Sequence, residues 1–512
     1  MHIEKYWRRG ASAAALAWLW ACGSPAEEPA FEQRGQALSA DARLSACNSD
    51  PRVIAGLVSA QICAGADIFF RETFNGNGRT CGSCHPAANN MTIDRPFIDA
   101  LRATHPDDPL FVADNVPALA ELESSDLADF AGIREHVDSF DNPPSSRGVP
   151  HTLSLATSLK PDPSDETTNP PVQRTGWSGD GAPGTGSLRE FLAGAIKQHY
   201  PTNLNRQEGV AFRVASPQEL DLVEKFQLSL GRTNELDLRQ VNLADPDAND
   251  GRLAYLDPQR GRCNFCHANG GANSELTGLN ANFDTNTRSA PTFAFPFDGG
   301  FGGQDLDEPN IDALNLGLPL NGFGDGTFNV PPVIEAVDTP PFFHTNAFGN
   351  TIEAAVAFYV GPQFQSSQAA TDLQARFGTP IQFGGDDINK MGRFLRVLNA
   401  AFNLDIARQR LNAAQTLVNR FHDQGKDIQI GLMQLAEAEI DDALDDLSGV
   451  GLHPQAQERL GLAKDEIHAG IAATSFSTRQ NRISNALSRV MNARDQFGAN
   501  INFRLGTGNL MF

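Results

Sequence analysis

The chain carries the stretch Cys81-Gly82-Ser83-Cys84-His85, and its pattern returns as Cys263-Asn264-Phe265-Cys266-His267. Each stretch is C-x-x-C-H, the attachment signature of a c-type haem. Two thiols one helical turn apart can add to the two vinyl groups of one porphyrin, and the adjacent histidine can bind the iron as proximal ligand. The sequence therefore predicts two covalently bound haem c groups, with His85 and His267 as iron ligands.

A zinc site or a redox CxxC is the alternative interpretation of these cysteines. Structural zinc usually takes four protein ligands, often from paired CxxC units at short spacing. The two pairs here begin 182 residues apart, and a histidine follows each of them. This arrangement favours haem over zinc.

The first 22 residues have the features of a bacterial export signal. Lys5 and Arg8 precede a short apolar run at 11–21, which is too short to span a bilayer. Leu19-Trp20-Ala21-Cys22 resembles a lipobox in which Cys22 would carry lipid, and an ordinary cleaved signal peptide is the alternative. We therefore expect a protein of the periplasm or cell envelope that touches a membrane only through a lipid anchor.

The net charge bears on which partners the protein can bind, and the two remaining cysteines bear on their oxidation state in the compartment. The net charge of −22 makes nucleic acid an improbable partner, whereas a small basic electron-donor protein, a cytochrome or a cupredoxin, would be attracted. Cys47 and Cys63 are left over from the lipid and haem assignments. An oxidising compartment permits a disulfide between them, and two free thiols are the alternative.

Apolar spacing predicts a mainly α-helical chain. Helices are expected over 55–74, 130–137, 188–196, 217–230, 351–359 and 386–402. From residue 405 onward glycine and proline become sparse, which indicates a helical hairpin or three-helix bundle. The predicted organisation is a signal peptide (1–22), a tether (23–50), two cytochrome c-like haem domains (51–220 and 221–404) and a helical extension (405–512).

One acidic segment raises the question of calcium. Asp245-Pro-Asp247-Ala-Asn249-Asp250-Gly251 crowds oxygen ligands as a calcium loop does. Its glycine falls one position late for an EF-hand, and no glutamate closes the loop. An Asx-rich turn is the simpler interpretation, with Ca²⁺ as the second.

Three further stretches occur in the order found in one known family, and the resemblance as a whole covers roughly residues 55–404. They are Asn142-Pro-Pro-Ser-Ser-Arg147-Gly-Val-Pro-His-Thr-Leu153, Gly176-Trp177-Ser-Gly-Asp180-Gly181 with Ser187-Leu-Arg-Glu190, and Phe328-Asn-Val-Pro331 through His344 to Tyr359. With the two haem motifs they resemble the di-haem cytochrome c peroxidase and MauG-type superfamily. The resemblance implies an N-terminal haem with an open distal site and a six-coordinate C-terminal haem that feeds it electrons.

The resemblance also suggests roles for single residues. Trp177 would relay electrons between the haems, and a packed core tryptophan is the alternative. Tyr359 would be the sixth ligand of the second haem, as in the MauG branch, with His344 as its rival; Met391 is expected to be a core residue. Ile334 stands where the family usually has an arginine, so propionate pairing there is not expected.

The reaction class depends on the open face of the first haem. Phe191 stands where the family's peroxidases have a glutamine, which makes the pocket more apolar. His199 and Glu208 are the remaining candidates for moving a proton during peroxide cleavage, and each is also explained as a solvated helix-end residue. We expect a peroxidase that reduces or uses hydrogen peroxide; an O₂-dependent di-haem oxygenase like the rubber-cleaving branch, or a plain electron carrier, are the alternatives.

Overall fold

A computed structural model describes residues 38–116, 119–120, 127, 131–135, 145–158, 188–275, 278, 280, 282–287, 328–346 and 349–512. These residues are mainly helical, as predicted. The α-helices are α1 (Ala40–Cys47), α2 (Pro51–Ile54), α3 (Ala60–Arg71), α4 (Cys81–Cys84), α5 (Arg95–Thr104), α6 (Leu188–His199), α7 (Pro217–Gln227), α8 (Pro246–Leu256), α9 (Cys263–Cys266), α10 (Ile352–Phe358), α11 (Pro362–Gln365), α12 (Gln368–Phe377), α13 (Gly385–Phe421), α14 (Lys426–Ser448), α15 (Pro454–Ile471) and α16 (Phe476–Arg494).

The described strands are short and form three antiparallel pairs. They are β1 (Gly132–Glu135) with β2 (Ser145–Gly148), β3 (Asn242–Leu243) with β6 (Gly498–Ala499), and β4 (Asn282–Phe283) with β5 (Phe328–Asn329). The helix predicted over 130–137 is wrong, because residues 132–135 pair with 145–148 as strand β1. Long-range pairing here overrides the local pattern.

Helices α3 and α7 pack closely against each other, and α3 also contacts α4, the turn of the first CxxCH motif. Ser59 caps α3 by accepting a hydrogen bond from the Ile62 amide. A Cβ on Gly65 would lie 2.0 Å from the Leu222 carbonyl oxygen, so only glycine allows this approach. The crossing buries Phe69 and Phe226, whose ring centroids are 5.3 Å apart. Their apolar burial fixes the helix that leads into the motif.

The end of the predicted tether belongs to the folded part of the chain. Residues 40–47 form α1, and Cys47 is disulfide-bonded to Cys63 on α3. Arg43 adds ion pairs to Asp67 and Glu72. A tether over all of 23–50 is therefore wrong at its end, because this cross-link and these buried pairs attach α1 to α3.

The C-terminal helices form a four-helix bundle. Helix α13 packs on α14 and α16, while α15 packs on α14 and α16, and short turns join consecutive helices. The predicted boundary at residue 404 lies inside α13, which is continuous over 37 residues. A hairpin or three-helix extension was expected because the first of the four helices starts well before 405.

Helix α13 also connects the bundle to the region of the second motif. It packs on α8 and α10, and a Cβ on Gly251 of α8 would lie 1.9 Å from the Lys390 carbonyl oxygen. Arg396 of α13 makes a bidentate ion pair with Glu353 of α10 at 2.8 and 2.9 Å. One long helix thus holds the second motif against the bundle.

Among the described residues, no helix is long and apolar enough to cross a bilayer. The predicted signal peptide and Cys22 lie outside the described residues.

Candidate cofactor sites

The first CxxCH motif forms one helical turn, α4, and His85 follows as its C-terminal cap. The Nδ1 atom of His85 is 2.8 Å from the Met91 carbonyl oxygen. Burial lowers the pKa of His85 to about 4, although that hydrogen bond opposes the shift. The imidazole is therefore neutral at physiological pH, with its Nδ1–H donated to the main chain.

The second motif repeats this geometry. Residues 263–266 form α9, and His267 caps it. The His267 Nδ1 lies 2.9 Å from the Pro331 carbonyl oxygen, and burial lowers the pKa of this histidine to about 4 as well. In addition, the Tyr255 hydroxyl donates a 2.5 Å hydrogen bond to the His267 carbonyl oxygen.

Both histidines therefore carry their proton on Nδ1, which is the tautomer in which Nε2 can bind a metal. A histidine that binds metal through Nε2 almost always donates its Nδ1–H to a carbonyl or carboxylate, which fixes the ring and raises its basicity. His85 and His267 each use a main-chain carbonyl for this purpose. The residues of both motifs therefore fit a haem bound by a proximal histidine.

The four cysteines of the motifs are half-buried in the structure and form no disulfide. Burial raises the pKa of Cys81 to about 11, and that of Cys263 and Cys266 to about 12. The Tyr200 hydroxyl lies 3.3 Å from the Cys81 sulfur. Each motif therefore presents two protonated thiols one helical turn apart, the form in which they could add to porphyrin vinyl groups.

A cavity of about 250 Å³ opens on the second motif. Its wall includes Cys263, Cys266 and His267, and on other sides mostly apolar residues such as Phe328, Phe342, Phe364 and Leu395. An apolar cleft beside a fixed imidazole and two thiols is what a porphyrin ring would occupy.

Both predicted sixth-ligand candidates line this cavity. Tyr359 caps α10, packs on Phe364 with ring centroids 4.9 Å apart, and has its pKa raised by burial and by the two thiols of α9. His344 stacks on Phe328 at 4.0 Å, and burial together with Arg147 lowers its pKa well below the usual value. The geometry thus brings both residues to the wall of the same cavity.

Met391 is buried, as predicted for a core residue, and it also lines the cavity. Its sulfur lies 3.9 Å from the Cys263 sulfur.

The residues predicted for the first haem's open face have different outcomes. Trp177 lies outside the described residues. His199, at the end of α6, is buried and close enough to His85 to contribute to lowering its pKa. Phe191 is half-buried on α6, and Glu208 is exposed on the turn that bridges to Phe212. The structure therefore brings His199 to the first motif and leaves Glu208 facing solvent.

Sequence reasoning missed several residues around the two motifs. His151 is buried, lines the cavity, and has its pKa lowered to about 4 by burial, with smaller contributions from Arg232 and His85. Tyr200 and Tyr255, beside one motif each, were not singled out either. Neither tyrosine belongs to a motif, so no local pattern marked them, although His151 lies within the quoted stretch 142–153.

The acidic segment at 245–251 is mostly helical. Asp245 is the N-cap of α8 and pairs with Arg393 at 2.9 Å. Asp250 pairs with Arg260 at 3.1 Å and with Lys390 at 3.0 Å. Calcium at this segment stays a prediction, and these cations already neutralise two of its carboxylates.

Comparisons with protein-family models, with curated proteins and with solved structures give no match to this chain. The assignment of function therefore depends on the residues of the two motifs and their surroundings.

Proposed function

We propose that the chain is a di-haem c-type oxidoreductase that reduces hydrogen peroxide or uses it as an oxidant. Two cytochrome c-like regions would each hold one covalent haem c, through Cys81 and Cys84 and through Cys263 and Cys266. The proposal rests on one observation that the two histidines share. The Nδ1 atom of each lies within 2.9 Å of a main-chain carbonyl oxygen.

The surroundings of the motifs support haem over zinc. Two cysteines and one histidine would give a zinc ion three protein ligands, one fewer than the four that a structural zinc site usually has. Haem brings four nitrogen ligands of its own and needs only the histidine and two thioether links.

Each haem, when bound, supplies one-electron chemistry at its iron, and the chain tunes that chemistry. His85 and His267 hold their rings in one orientation through the Met91 and Pro331 carbonyls. Tyr359 offers a hard phenolate ligand that would favour ferric iron at the second site, and His344 offers a neutral imidazole instead. The buried guanidinium of Arg147, which acts on His344, would stabilise a propionate carboxylate.

Peroxide cleavage requires a group that takes a proton from one oxygen and returns it to the other. Of the two candidates, His199 is buried beside His85, whereas Glu208 faces solvent. Nearness to His85, the proposed proximal ligand, does not put His199 on the open face of the first site, so we keep both His199 and Glu208 as candidates for this proton transfer. The proposed setting is the periplasm or cell envelope, with a lipid on Cys22 and a small cytochrome or cupredoxin as electron donor.

The test is spectroscopic, on the purified full-length protein. A high-spin ferric haem that binds cyanide and changes its spectrum on rapid mixing with hydrogen peroxide is expected. The peroxide-dependent change should be lost in His199→Ala or in Glu208→Gln, whichever residue moves the proton. Two low-spin haems that ignore cyanide would instead identify an electron carrier. A stable O₂ adduct with no response to peroxide would identify an oxygenase.

A further inference from the structure

One short segment, residues 148–151, lies between the two candidate sites. Gly148, Val149, Pro150 and His151 all line the cavity of the second motif. The Gly148 amide donates a 2.7 Å hydrogen bond to the carbonyl oxygen of His344, another cavity residue. This segment is therefore part of the wall of the second site.

The same segment is bonded to the loop that holds His85. Thr92 is buried, and its hydroxyl donates a 2.5 Å hydrogen bond to the Val149 carbonyl oxygen. The preceding residue, Met91, is also buried and accepts the hydrogen bond of His85 Nδ1 at 2.8 Å. Two hydrogen bonds, the Met91–Thr92 peptide unit and the Thr92 side chain thus connect the imidazole of the first site to the cavity wall of the second.

We propose that Thr92 is a positioning residue that couples the two haem sites electronically through this route, which we call the Thr92 bridge (His85, Met91, Thr92, Val149). The proposal rests on the proposed function, since it requires a haem at each motif. With a haem bound at each motif, the route would carry one electron from the second site, which would be oxidised, to the first, which would be reduced. No bond forms or breaks, and no proton is transferred.

The physical reason is that tunnelling decays less steeply along covalent and hydrogen bonds than across van der Waals gaps. Thr92 and Met91 are 3% and 1% exposed, so water does not compete for these hydrogen bonds and their geometry is held fixed by the packing. The bridge involves no aromatic relay, so it makes a prediction distinct from that for Trp177.

The test compares Thr92→Val, which removes the hydroxyl, with Thr92→Ser, which retains it. Thr157→Val is the matched control, because the buried Thr157 hydroxyl donates a 2.8 Å hydrogen bond to the Ser154 carbonyl oxygen away from the bridge. Each variant is first checked for two haems per chain and for unchanged haem spectra and reduction potentials. The rate of electron transfer from the second iron to the first is then measured after flash reduction.

We expect Thr92→Val to slow this intramolecular rate several-fold, and Thr92→Ser and Thr157→Val to keep the wild-type rate. A wild-type rate in fully loaded Thr92→Val would overturn the bridge, all the more so if Trp177→Phe slowed transfer. If Thr92→Val fails to fold, Thr92→Ala takes its place with the same expectation. Absence of covalent haem from the wild-type chain would overturn the proposed function itself, which separates the two failures.

Discussion

The buried ion pair between Arg232 and Glu335 gives the sharpest prediction about what holds the two candidate sites together. The Arg232 Nε atom lies 2.7 Å from Glu335 Oε1, and the two side chains are 0% and 1% exposed. The Ser154 hydroxyl donates a 2.5 Å hydrogen bond to the same carboxylate oxygen and accepts one from the Arg232 amide at 3.0 Å. The pair therefore joins three segments that meet between the two motifs.

Replacing Glu335 with glutamine keeps the shape and leaves the Arg232 guanidinium buried without a counter-charge. Removing one partner of a buried pair costs about 3–5 kcal/mol of unfolding free energy. We expect a loss of this size for Glu335→Gln in urea unfolding of the haem-loaded protein, followed by far-ultraviolet circular dichroism. The urea dependence of the unfolding free energy should stay the same, because the surface exposed on unfolding does not change.

Two further variants distinguish the loss of the buried ion pair from a general loss of stability. The apolar double variant Arg232→Met with Glu335→Leu should recover most of the loss, since no charge is then left buried. Asp99→Asn breaks an exposed ion pair, in which the Arg95 side chain is 38% exposed and the Asp99 side chain 62%. It should lower the free energy of unfolding by only about 0.3–0.5 kcal/mol. A loss for Glu335→Gln as small as that of Asp99→Asn would refute the reasoning.

Two other predictions concern the second site and the bundle. Tyr359→Phe should change the low-spin electron paramagnetic resonance signal while His344→Ala leaves it unchanged; the reverse outcome assigns the sixth ligand to His344. Burial, and then the nearby Asp338, raise the pKa of Asp446 well above its usual value, so the native state retains a proton that the unfolded chain releases above about pH 4. The fold therefore loses stability at this group as pH rises. Asp446→Asn should raise the melting temperature more at about pH 8 than at about pH 5. The control Asp465→Asn, at an exposed position, should not show this difference between the two pH values. Equal gains at both pH values would contradict the buried-acid explanation.

Local patterns in the sequence predicted the helices well where capping and apolar spacing agree. Ser216 and Glu219 form a reciprocal capping box at the start of α7, and the predicted helix there is present. The prediction of a helix over 130–137 was wrong because residues 132–135 pair with the strand at 145–148, and no local pattern reveals this pairing. The predicted start of the bundle at residue 405 lies inside α13, because this one uninterrupted helix packs on both α8 and α14.

The site was predictable only where its chemistry is written as a motif. The C-x-x-C-H spacing marked the six residues that we propose for haem attachment and proximal ligation, and the flanking stretches marked Tyr359 and His344, both of which line the cavity. The carbonyls of Met91 and Pro331, which orient the histidines, are main-chain atoms, so no residue type marks them. The coupling of Thr92 to Val149 depends on tertiary packing alone.

The most direct test of the central claim is the number of haems covalently bound to the chain. Wild-type protein, Cys84→Ala and Cys266→Ala, each expressed with the cytochrome c maturation machinery, are compared by haem staining after denaturing electrophoresis and by intact mass. The account predicts two haems on the wild-type chain and roughly half of its staining in each single variant, because each motif attaches one porphyrin. Staining that is absent from the wild type, or unchanged in both variants, would contradict it.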